Sequence, residues 1–169
     1  MNHFIILDIE TTGFSPKNSQ ITEIGAIKVD SSSLEVIGEM SSLIKIDSFV
    51  PPVIVNLTGI TDELLEIHGR SITPVMKELS EFCGSAEVYA HNANFDKSFI
   101  RQALSDCNID FIETDWGDTL PYFRKKFPNM PNHKLETLIK FYGLAEKESH
   151  RAIDDAKHTL ELIKIAKNL

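Results

Sequence analysis

Acidic side chains recur at three places where an apolar segment gives way to polar residues. They are Asp8, Glu10, Asp96, Asp154 and Asp155. Carboxylates beside core segments are costly to bury unless a cation joins them, and divalent metal ions prefer oxygen ligands. The pattern therefore indicates a divalent metal site. The chemistry typical of such a site is metal-assisted hydrolysis.

Asp8 and Glu10 stand at the end of the apolar run 4–7, which has the length of a strand. Because strand side chains alternate, both carboxylates are predicted to point to the same face of a sheet. Two like charges so close repel each other, and a hard cation converts that repulsion into coordination. Taken alone, the pair is explained equally well by a turn-capping Asp8 and a solvated Glu10.

Helical geometry separates the two adjacent acids near the C-terminus. Apolar residues recur there at helical spacing, which predicts an amphipathic helix. Asp155 lies on its apolar side and is the ligand candidate, whereas Asp154 lies on a polar stripe with Lys157 and His158. His150 stands five positions before Asp155, off that face of a continuous helix, so we expect it in the preceding loop, free to reach over the site.

Asp96 falls in the first turn of a helix predicted over 94–107, which follows a strand predicted over 87–91. We expect Asn92 or Asn94 to be the N-cap of this helix. Asp96 borders the apolar face of the helix. Taken singly, its position favours an interaction with the helix macrodipole over a metal-binding role.

Three motifs combine these residues in one order along the chain. They are Asp-x-Glu-Thr-Thr-Gly at 8–13, His-Asn-Ala-x-Phe-Asp at 91–96 and His-Arg-Ala-x-x-Asp-Ala at 150–156. Together they resemble the DEDD superfamily of 3′–5′ exonucleases, in its His-containing branch. That branch includes the proofreading (epsilon) subunit of bacterial replicative DNA polymerase, the exonuclease region of the Gram-positive replicative polymerase, and ribonuclease T.

The resemblance implies two divalent ions, Mg²⁺ or Mn²⁺, roughly 3.5–4 Å apart. Their expected ligands are Asp8, Glu10, Asp96 and Asp155. Asp8 is the candidate to bridge both ions, and Glu10 and Asp155 are expected to complete the coordination of the ion that carries the attacking water. His150 is then the general base, because an imidazole accepts a proton readily near neutral pH. The expected product is a nucleoside 5′-monophosphate.

Substrate contacts are expected in three segments. The candidates are Thr11, Thr12, Gly13, Leu57, Thr58, His91, Asn92 and Phe95. Gly13 either allows a turn that leaves the preceding amides near the site or simply ends the strand. In relatives a His frequently stands where this chain has Thr58, which leaves Leu57 as a candidate wedge against the terminal base. Phe95 fits a core position equally well.

The charge is distributed unevenly. The net charge is −8, but residues 1–115 carry 7 Lys and Arg against 18 Asp and Glu, whereas residues 116–169 carry 10 against 7. The basic side chains of the second segment either form an electropositive rim beside the acidic site or are simply solvated. The overall charge argues against a tight nonspecific grip on long duplex DNA. It is compatible with trimming a single-stranded 3′ end.

The pattern of elements predicts one α/β domain over residues 1–169. Strands are predicted at 4–10, 22–29, 36–46 and 87–91, with a short one at 112–114, and helices at 62–68, 74–83, 94–107, 119–127, 134–142 and 151–167. Such a mixed five-stranded sheet flanked by helices is compatible with the ribonuclease H-like fold that the resemblance implies. Without a membrane-spanning run or a leader, the chain is expected to be cytoplasmic.

Three alternatives to a DNA exonuclease remain open. The substrate is RNA or short oligoribonucleotides if the site accommodates the 2′-OH, as in an oligoribonuclease. The chain is mainly an accessory subunit if a DNA polymerase is its partner, although no polar tail follows the last helix to tether it. An inactive nucleotide-binding module is the third alternative, and the complete acidic set with His150 argues against it.

Overall fold

The computed structural model describes residues 2–110 and 115–169, which form five strands and seven helices. The strands are β1 (His3–Thr11), β2 (Ile21–Asp30), β3 (Val36–Leu43), β4 (Val88–Ala90) and β5 (Trp116–Asp118). The helices are α1 (Pro52–Thr58), α2 (Asp62–His68), α3 (Ile72–Cys83), α4 (Asn94–Asp106), α5 (Thr119–Lys126), α6 (Leu135–Phe141) and α7 (Ala152–Lys167).

A single mixed sheet organises these elements. Its strand order is β3-β2-β1-β4-β5; β1, β2 and β3 pair antiparallel, whereas β4 runs parallel to β1 and β5 parallel to β4. The carboxyl ends of β1, β4 and β5 therefore lie at the same edge of the sheet. This edge is where open α/β sheets usually bind ligands. The predicted α/β class and the mixed five-stranded sheet are confirmed.

Both faces of the sheet are covered by helices. Ile5 and Leu7 are buried in a core that α3 and α4 complete with Met76 and Phe99. Ile6 points to the opposite face and is buried in a second core beneath α5, α6 and α7. The alternation follows from the two-residue period of a strand. Because β1 is buried on both faces, its sequence is a continuous apolar run rather than an alternating one.

Helix α1 is absent from the sequence-based expectation. The helix is short, and it begins at Pro52, whose fixed φ suits the first helical position. It ends at Gly59, which has a φ of 72° and so adopts the left-handed conformation common after a helix. Pro52 and Gly59 were the two residues in the sequence that indicated the beginning and the end of this helix.

Two strand predictions differ from the structure. The third strand ends at Leu43 instead of reaching Ile46. The backbone N–H of Ile44 still donates to the Thr22 carbonyl of β2 at 2.9 Å, and Ile44 also forms an isolated parallel bridge with Arg70. The short strand predicted at 112–114 lies outside the described residues. The fifth strand that the structure describes is β5.

The N-cap predicted for α4 is also wrong. Ala93 occupies the N-cap position and provides no side-chain hydrogen bond. Asn92 has a φ of 64°, and its backbone N–H donates to Asp118 Oδ1 at 3.0 Å. Asn92 therefore closes the turn between β4 and α4, and its side chain does not cap the helix.

No helix among the described residues is long and apolar enough to cross a membrane.

Helix α7 approaches the sheet most closely at Gly25. This glycine lies on β2 directly opposite Asp8, and a Cβ built on it would overlap the backbone of Ala152 and Ile153 in the first turn of α7. The missing side chain is therefore what allows α7 to begin beside the carboxyl end of β1.

We expect the substitution Gly25→Ala to lower the free energy of unfolding by about 1–3 kcal/mol, since an added methyl group forces the helix backbone to move. Urea denaturation followed by circular dichroism measures this change. Gly38→Ala is the matched control, because a Cβ there would meet only side-chain atoms at ordinary contact distances of 3.5 Å or more. An equal loss of stability in the two variants would contradict the close approach at Gly25.

Candidate active site

Asp8 and Glu10 lie on the same face of β1, as their spacing predicts. This face also carries Ile6 and is the one that α7 covers. In the antiparallel register, Asp8 is opposite Gly25 and Glu10 is opposite Glu23. The two acids therefore point towards the beginning of α7.

The first turn of α7 separates its two acids as the helical pattern predicts. Asp155 is 1% exposed, whereas Asp154 is exposed to solvent. His150 lies in the loop before the helix and has a φ of 51°, which is uncommon for a residue with a side chain. His158 differs from the expectation, because it is turned inward from the polar stripe. Its Nδ1 lies 3.7 Å from Asp155 Oδ1.

These segments bring three predicted site residues into direct proximity. One candidate ligand atom from each of Glu10, His150 and Asp155 lies within 4.8 Å of the others. Asp8 lies close enough to this group for Glu10 and Asp155 to raise the pKa of its carboxyl. Asp96 approaches from α4, where its Oδ1 accepts a hydrogen bond of 3.2 Å from the backbone N–H of Ile9. We name Asp8, Glu10, Asp96 and Asp155 the carboxylate cluster.

Burial and mutual repulsion both act on the carboxylate cluster. Burial, followed by the negative charge of Asp155, raises the pKa of Glu10 to about 9. Burial also raises the pKa of Asp155 to about 8, with nearby acids adding to the effect. The pKa of Asp8 is well above its usual value because of burial and then the charge of Asp96, and burial likewise raises the pKa of Asp96.

The carboxylate cluster meets the requirements of a divalent metal site. Asp155 Oδ1 is buried and has no hydrogen-bond partner within the described part of the chain. An unpartnered buried acceptor is rare and calls for an explanation such as an ion. Oxygen ligands of this kind suit a hard divalent cation, whose charge would offset the burial and the repulsion that raise the pKa of these carboxyls.

An ion pair between Glu23 and Arg151 holds α7 in place. Glu23 is 1% exposed, and its carboxylate accepts from Arg151 Nε at 3.1 Å and from Nη2 at 2.7 Å. The same carboxylate accepts the backbone N–H of Ala152 at 3.0 Å. The start of α7 is therefore fixed to β2 next to Glu10. Neither Glu23 nor this contact of Arg151 was predicted from the sequence; the signal for Glu23 was an acidic residue inside an otherwise apolar strand.

Glu148 is a second residue that the sequence analysis did not single out. Its side chain is only 16% exposed, and its Oε1 lies 3.4 Å from His150 Nδ1. After burial, its charge is the largest contribution to the raised pKa of Asp155. Glu148 therefore belongs to the same site, although nothing in the local sequence distinguishes it from the neighbouring surface acids.

The loop after β1 contains the first group of predicted substrate contacts. Thr11 is buried, and its hydroxyl donates to the carbonyl of Gly13 at 2.6 Å. The Thr12 hydroxyl accepts the backbone N–H of Gln20 at 2.9 Å. A Cβ on Gly13 would crowd the hydroxyl of Ser19, which is consistent with a tight turn. Both hydroxyls thus shape this loop, and their contacts with substrate stay a prediction.

The second group lies at the end of α1. Leu57 is 50% exposed and presents apolar surface to solvent. Thr58 is buried, and its hydroxyl donates to Ile54 and accepts from the backbone N–H of Ile60. Leu57 thus retains the exposure that a wedge requires, whereas the Thr58 hydroxyl is used within the loop.

The third group surrounds the turn after β4. The ring nitrogens of His91 lie 3.0 Å from Thr119 Oγ1 and 2.8 Å from the carbonyl oxygen of His133. Burial lowers the pKa of this imidazole. Phe95 is half-buried and packs against Phe99 with ring centroids 4.9 Å apart. The observed contacts of His91 and Phe95 are structural, and their contribution to a nucleotide pocket stays a prediction, as does that of the exposed Asn92.

Comparisons with known proteins agree with this geometry. The exonuclease domain of the RNase T family matches residues 5–163. A DNA polymerase III of the PolC type from Clostridium perfringens is 36% identical over 166 residues, which cover 98% of this chain and 11% of that protein. A putative bifunctional exonuclease/endonuclease protein of Mycobacterium tuberculosis is 33% identical over 168 residues, covering 95% of this chain and 26% of that protein.

The fold also matches a solved structure. The zinc-bound complex of E. coli exonuclease I with single-stranded DNA superposes with a TM-score of 0.89 and 23% identity, covering 99% of this chain and 41% of that one. The predicted ribonuclease H-like fold is confirmed by this match. The chain spans only a small part of the PolC-type relatives it matches. Because the family match extends over nearly all of its residues, the chain belongs to the exonuclease family.

Proposed function

We propose that the chain is a metal-dependent 3′–5′ exonuclease that releases nucleoside 5′-monophosphates from single-stranded or frayed 3′ ends of DNA. The observation that carries the proposal is the meeting of Glu10, His150 and Asp155 beside Asp8 in a chain of the exonuclease family. Two similar proteins support DNA as the substrate: a DNA polymerase III and an exonuclease I solved with single-stranded DNA.

The carboxylate cluster is proposed to hold two ions, Mg²⁺ or Mn²⁺. Such ions would activate a water molecule and neutralise the charge that develops on the phosphate. Asp8 would be the ligand shared by the ions, because it has the other three members of the carboxylate cluster around it. Glu10 and Asp155 would supply ligands on the side of His150, and Asp96 would supply a ligand from α4.

His150 is proposed to take the proton from the attacking water. Its place before α7 leaves the imidazole outside the helix, within reach of Glu10 and Asp155. An imidazole titrates near neutral pH and so accepts a proton without a large energetic penalty. General base catalysis of this kind typically contributes a factor of about 10² to 10⁴ to the rate.

The nucleic acid is proposed to enter over the loops that carry the predicted substrate contacts. Leu57 is the proposed wedge against the terminal base, since base stacking on apolar and aromatic groups is tolerant of sequence. Residues 1–169 are proposed to act as one exonuclease domain of a cytoplasmic protein. The similarity to PolC-type polymerases makes a DNA polymerase a candidate partner.

We expect stepwise removal of nucleotides from a 5′-labelled single-stranded DNA in the presence of Mg²⁺, with slower removal from a blunt duplex. A time course resolved on a denaturing gel checks this, with an RNA of matched sequence beside it. A clear preference for RNA would move the protein to the ribonucleases. Cleavage of a circular single strand would contradict the proposed exonuclease activity.

The adjacent acids of α7 provide a matched pair of variants. Asp155→Asn should abolish nuclease activity and raise the melting temperature of the metal-free protein, because it removes one of several repelling carboxylates. Asp154→Asn should leave both properties close to those of the parent protein, since Asp154 is exposed. The assignment is wrong if Asp154→Asn inactivates the enzyme and Asp155→Asn does not.

The stability of the metal-free protein should fall as pH rises from about 4 to about 9. The folded pKa values of Glu10 and Asp155 are about 9 and about 8, whereas the same groups in an unfolded chain titrate near 4. Between these values the folded state binds more protons than the unfolded state, so each rise in pH favours unfolding.

Added Mg²⁺ should reverse the loss of stability at pH 8 and do little at pH 5, because it binds the ionised carboxylates. Thermal melts with EDTA or Mg²⁺ at both pH values measure this. A metal-free protein that is more stable at pH 8 than at pH 5 would contradict it.

A further inference from the structure

Glu148 lies at the rim of the active site, beside His150 and the first turn of α6. Its side chain is 16% exposed, and its Oε1 lies 3.4 Å from His150 Nδ1. Burial raises the pKa of the Glu148 carboxyl, whereas the charge of His150 and the backbone N–H of Glu136, in the first turn of α6, oppose that rise. The carboxylate therefore adjoins both the His150 ring and α6.

The loop that carries His150 is fixed on its other sides as well. The backbone N–H of Arg151 donates to the Ser149 hydroxyl at 3.1 Å, and the Arg151 guanidinium is bound to Glu23. His150 itself has a left-handed backbone conformation, with a φ of 51°. A non-glycine residue stays in that region only where its surroundings determine it. The remaining freedom of His150 is the rotation of its side chain. Its Nδ1 lies 3.4 Å from Glu148 Oε1, and carboxylate oxygens of Glu10 and Asp155 lie within 4.8 Å of a ring nitrogen.

We propose that Glu148 is a positioning residue for His150, an inference that rests on the proposed role of His150 as the general base. A carboxylate that accepts the Nδ1 proton of an imidazole fixes both the orientation of the ring and its tautomer. The proton then resides on Nδ1, and Nε2, on the other side of the ring, is left unprotonated to accept a proton from water. Glu148 touches neither substrate nor reacting atoms in this role.

The tautomer gives a measurement that does not depend on activity. In protein with ¹⁵N-labelled histidine at about pH 8.5, where an ordinary imidazole is neutral, NMR should find the proton of His150 on Nδ1. The signal is assigned by its loss in His150→Ala. In Glu148→Ala the proton should move to Nε2 or exchange between the two nitrogens. A parent protein with the His150 proton on Nε2 would overturn the proposal, even if the enzyme is fully active.

Kinetics then test the consequence for catalysis. Glu148→Ala should lower the single-turnover rate on labelled single-stranded DNA by about 10- to 100-fold, the usual effect of removing a group that orients a catalytic residue. The KM for DNA and the affinity for Mg²⁺ should stay within about 3-fold, because Glu148 is neither a substrate contact nor a metal ligand in this proposal. Glu148→Gln keeps an oxygen acceptor and should restore most of the rate.

Two further variants separate positioning from other roles. In a His150→Ala background, Glu148→Ala should cause no additional loss of rate, since it acts through His150. Glu146→Ala is the matched control, because Glu146 is exposed in the same loop and should leave the rate unchanged. Independent losses in the double variant, or a fall in Mg²⁺ affinity with Glu148→Ala, would overturn the proposal and make Glu148 a ligand or a structural residue. Inactivity of the parent protein would instead contradict the proposed function and leave the NMR result valid.

Discussion

The attachment of α7 to β2 is the constraint on which the whole site depends. Glu23 binds the Arg151 guanidinium and the Ala152 amide, and Gly25 leaves room for the helix backbone two residues further along the strand. This ion pair is a weak source of net stability, because the buried Glu23 carboxylate loses its hydration, whereas the Arg151 side chain stays 41% exposed. The planar guanidinium, with its fixed donor geometry, instead determines how Arg151 and Glu23 are oriented relative to each other. The pair fixes where α7 begins, and that beginning determines where Asp155 and His150 lie relative to β1.

The cost of this arrangement is electrostatic. Four carboxyls share a small volume in which Asp96 and Asp155 are buried and Asp8 and Glu10 are partly exposed. Their raised pKa values indicate that ionisation is unfavourable there. An unfavourable arrangement of this kind persists at a functional site when the surrounding structure is stable enough to impose it. Here two hydrophobic cores, one on each face of the sheet, hold β1 and α7 in place. The same crowding that opposes ionisation gives a divalent cation a set of oxygen ligands already in position.

The sequence predicted the residues that carry a strong periodic signal. The two-residue period placed Asp8 and Glu10 on one face, and the helical period turned Asp155 inward and Asp154 outward. Strands β1 to β4 and the described helices other than α1 were predicted within a few residues. Helix α1 was missed because its seven residues, about two turns, are too few to show a distinctive period. The bridge between Ile44 and Arg70 joins residues distant in sequence and lies beyond any local pattern.

The site residues that were missed depend on tertiary contacts. Glu23 reads as a polar interruption of a strand until Arg151 is placed against it, and Glu148 resembles its exposed neighbours until the ring of His150 is placed beside it. His158 was placed on a polar stripe, although its i, i+3 spacing from Asp155 on a helix already makes the two residues neighbours. Local propensity identifies the helix or strand on which a residue lies. The partner of a buried charge is known only from the tertiary structure, because it lies on an element distant in sequence.

The distance along the chain between the partners of the Glu23–Arg151 ion pair has a consequence for how the site forms. The two residues are 128 positions apart, and closing so long a loop carries an entropic cost of order 4 kcal/mol from its length alone. In the unfolded chain the carboxylates are separate, hydrated and fully charged, so they repel one another very little. The charge of Asp155 joins those of Asp8, Glu10 and Asp96 only when α7 docks against the sheet. Any ion that needs the assembled ligand set must therefore wait for the completed tertiary structure, and its binding reports that the chain has folded throughout.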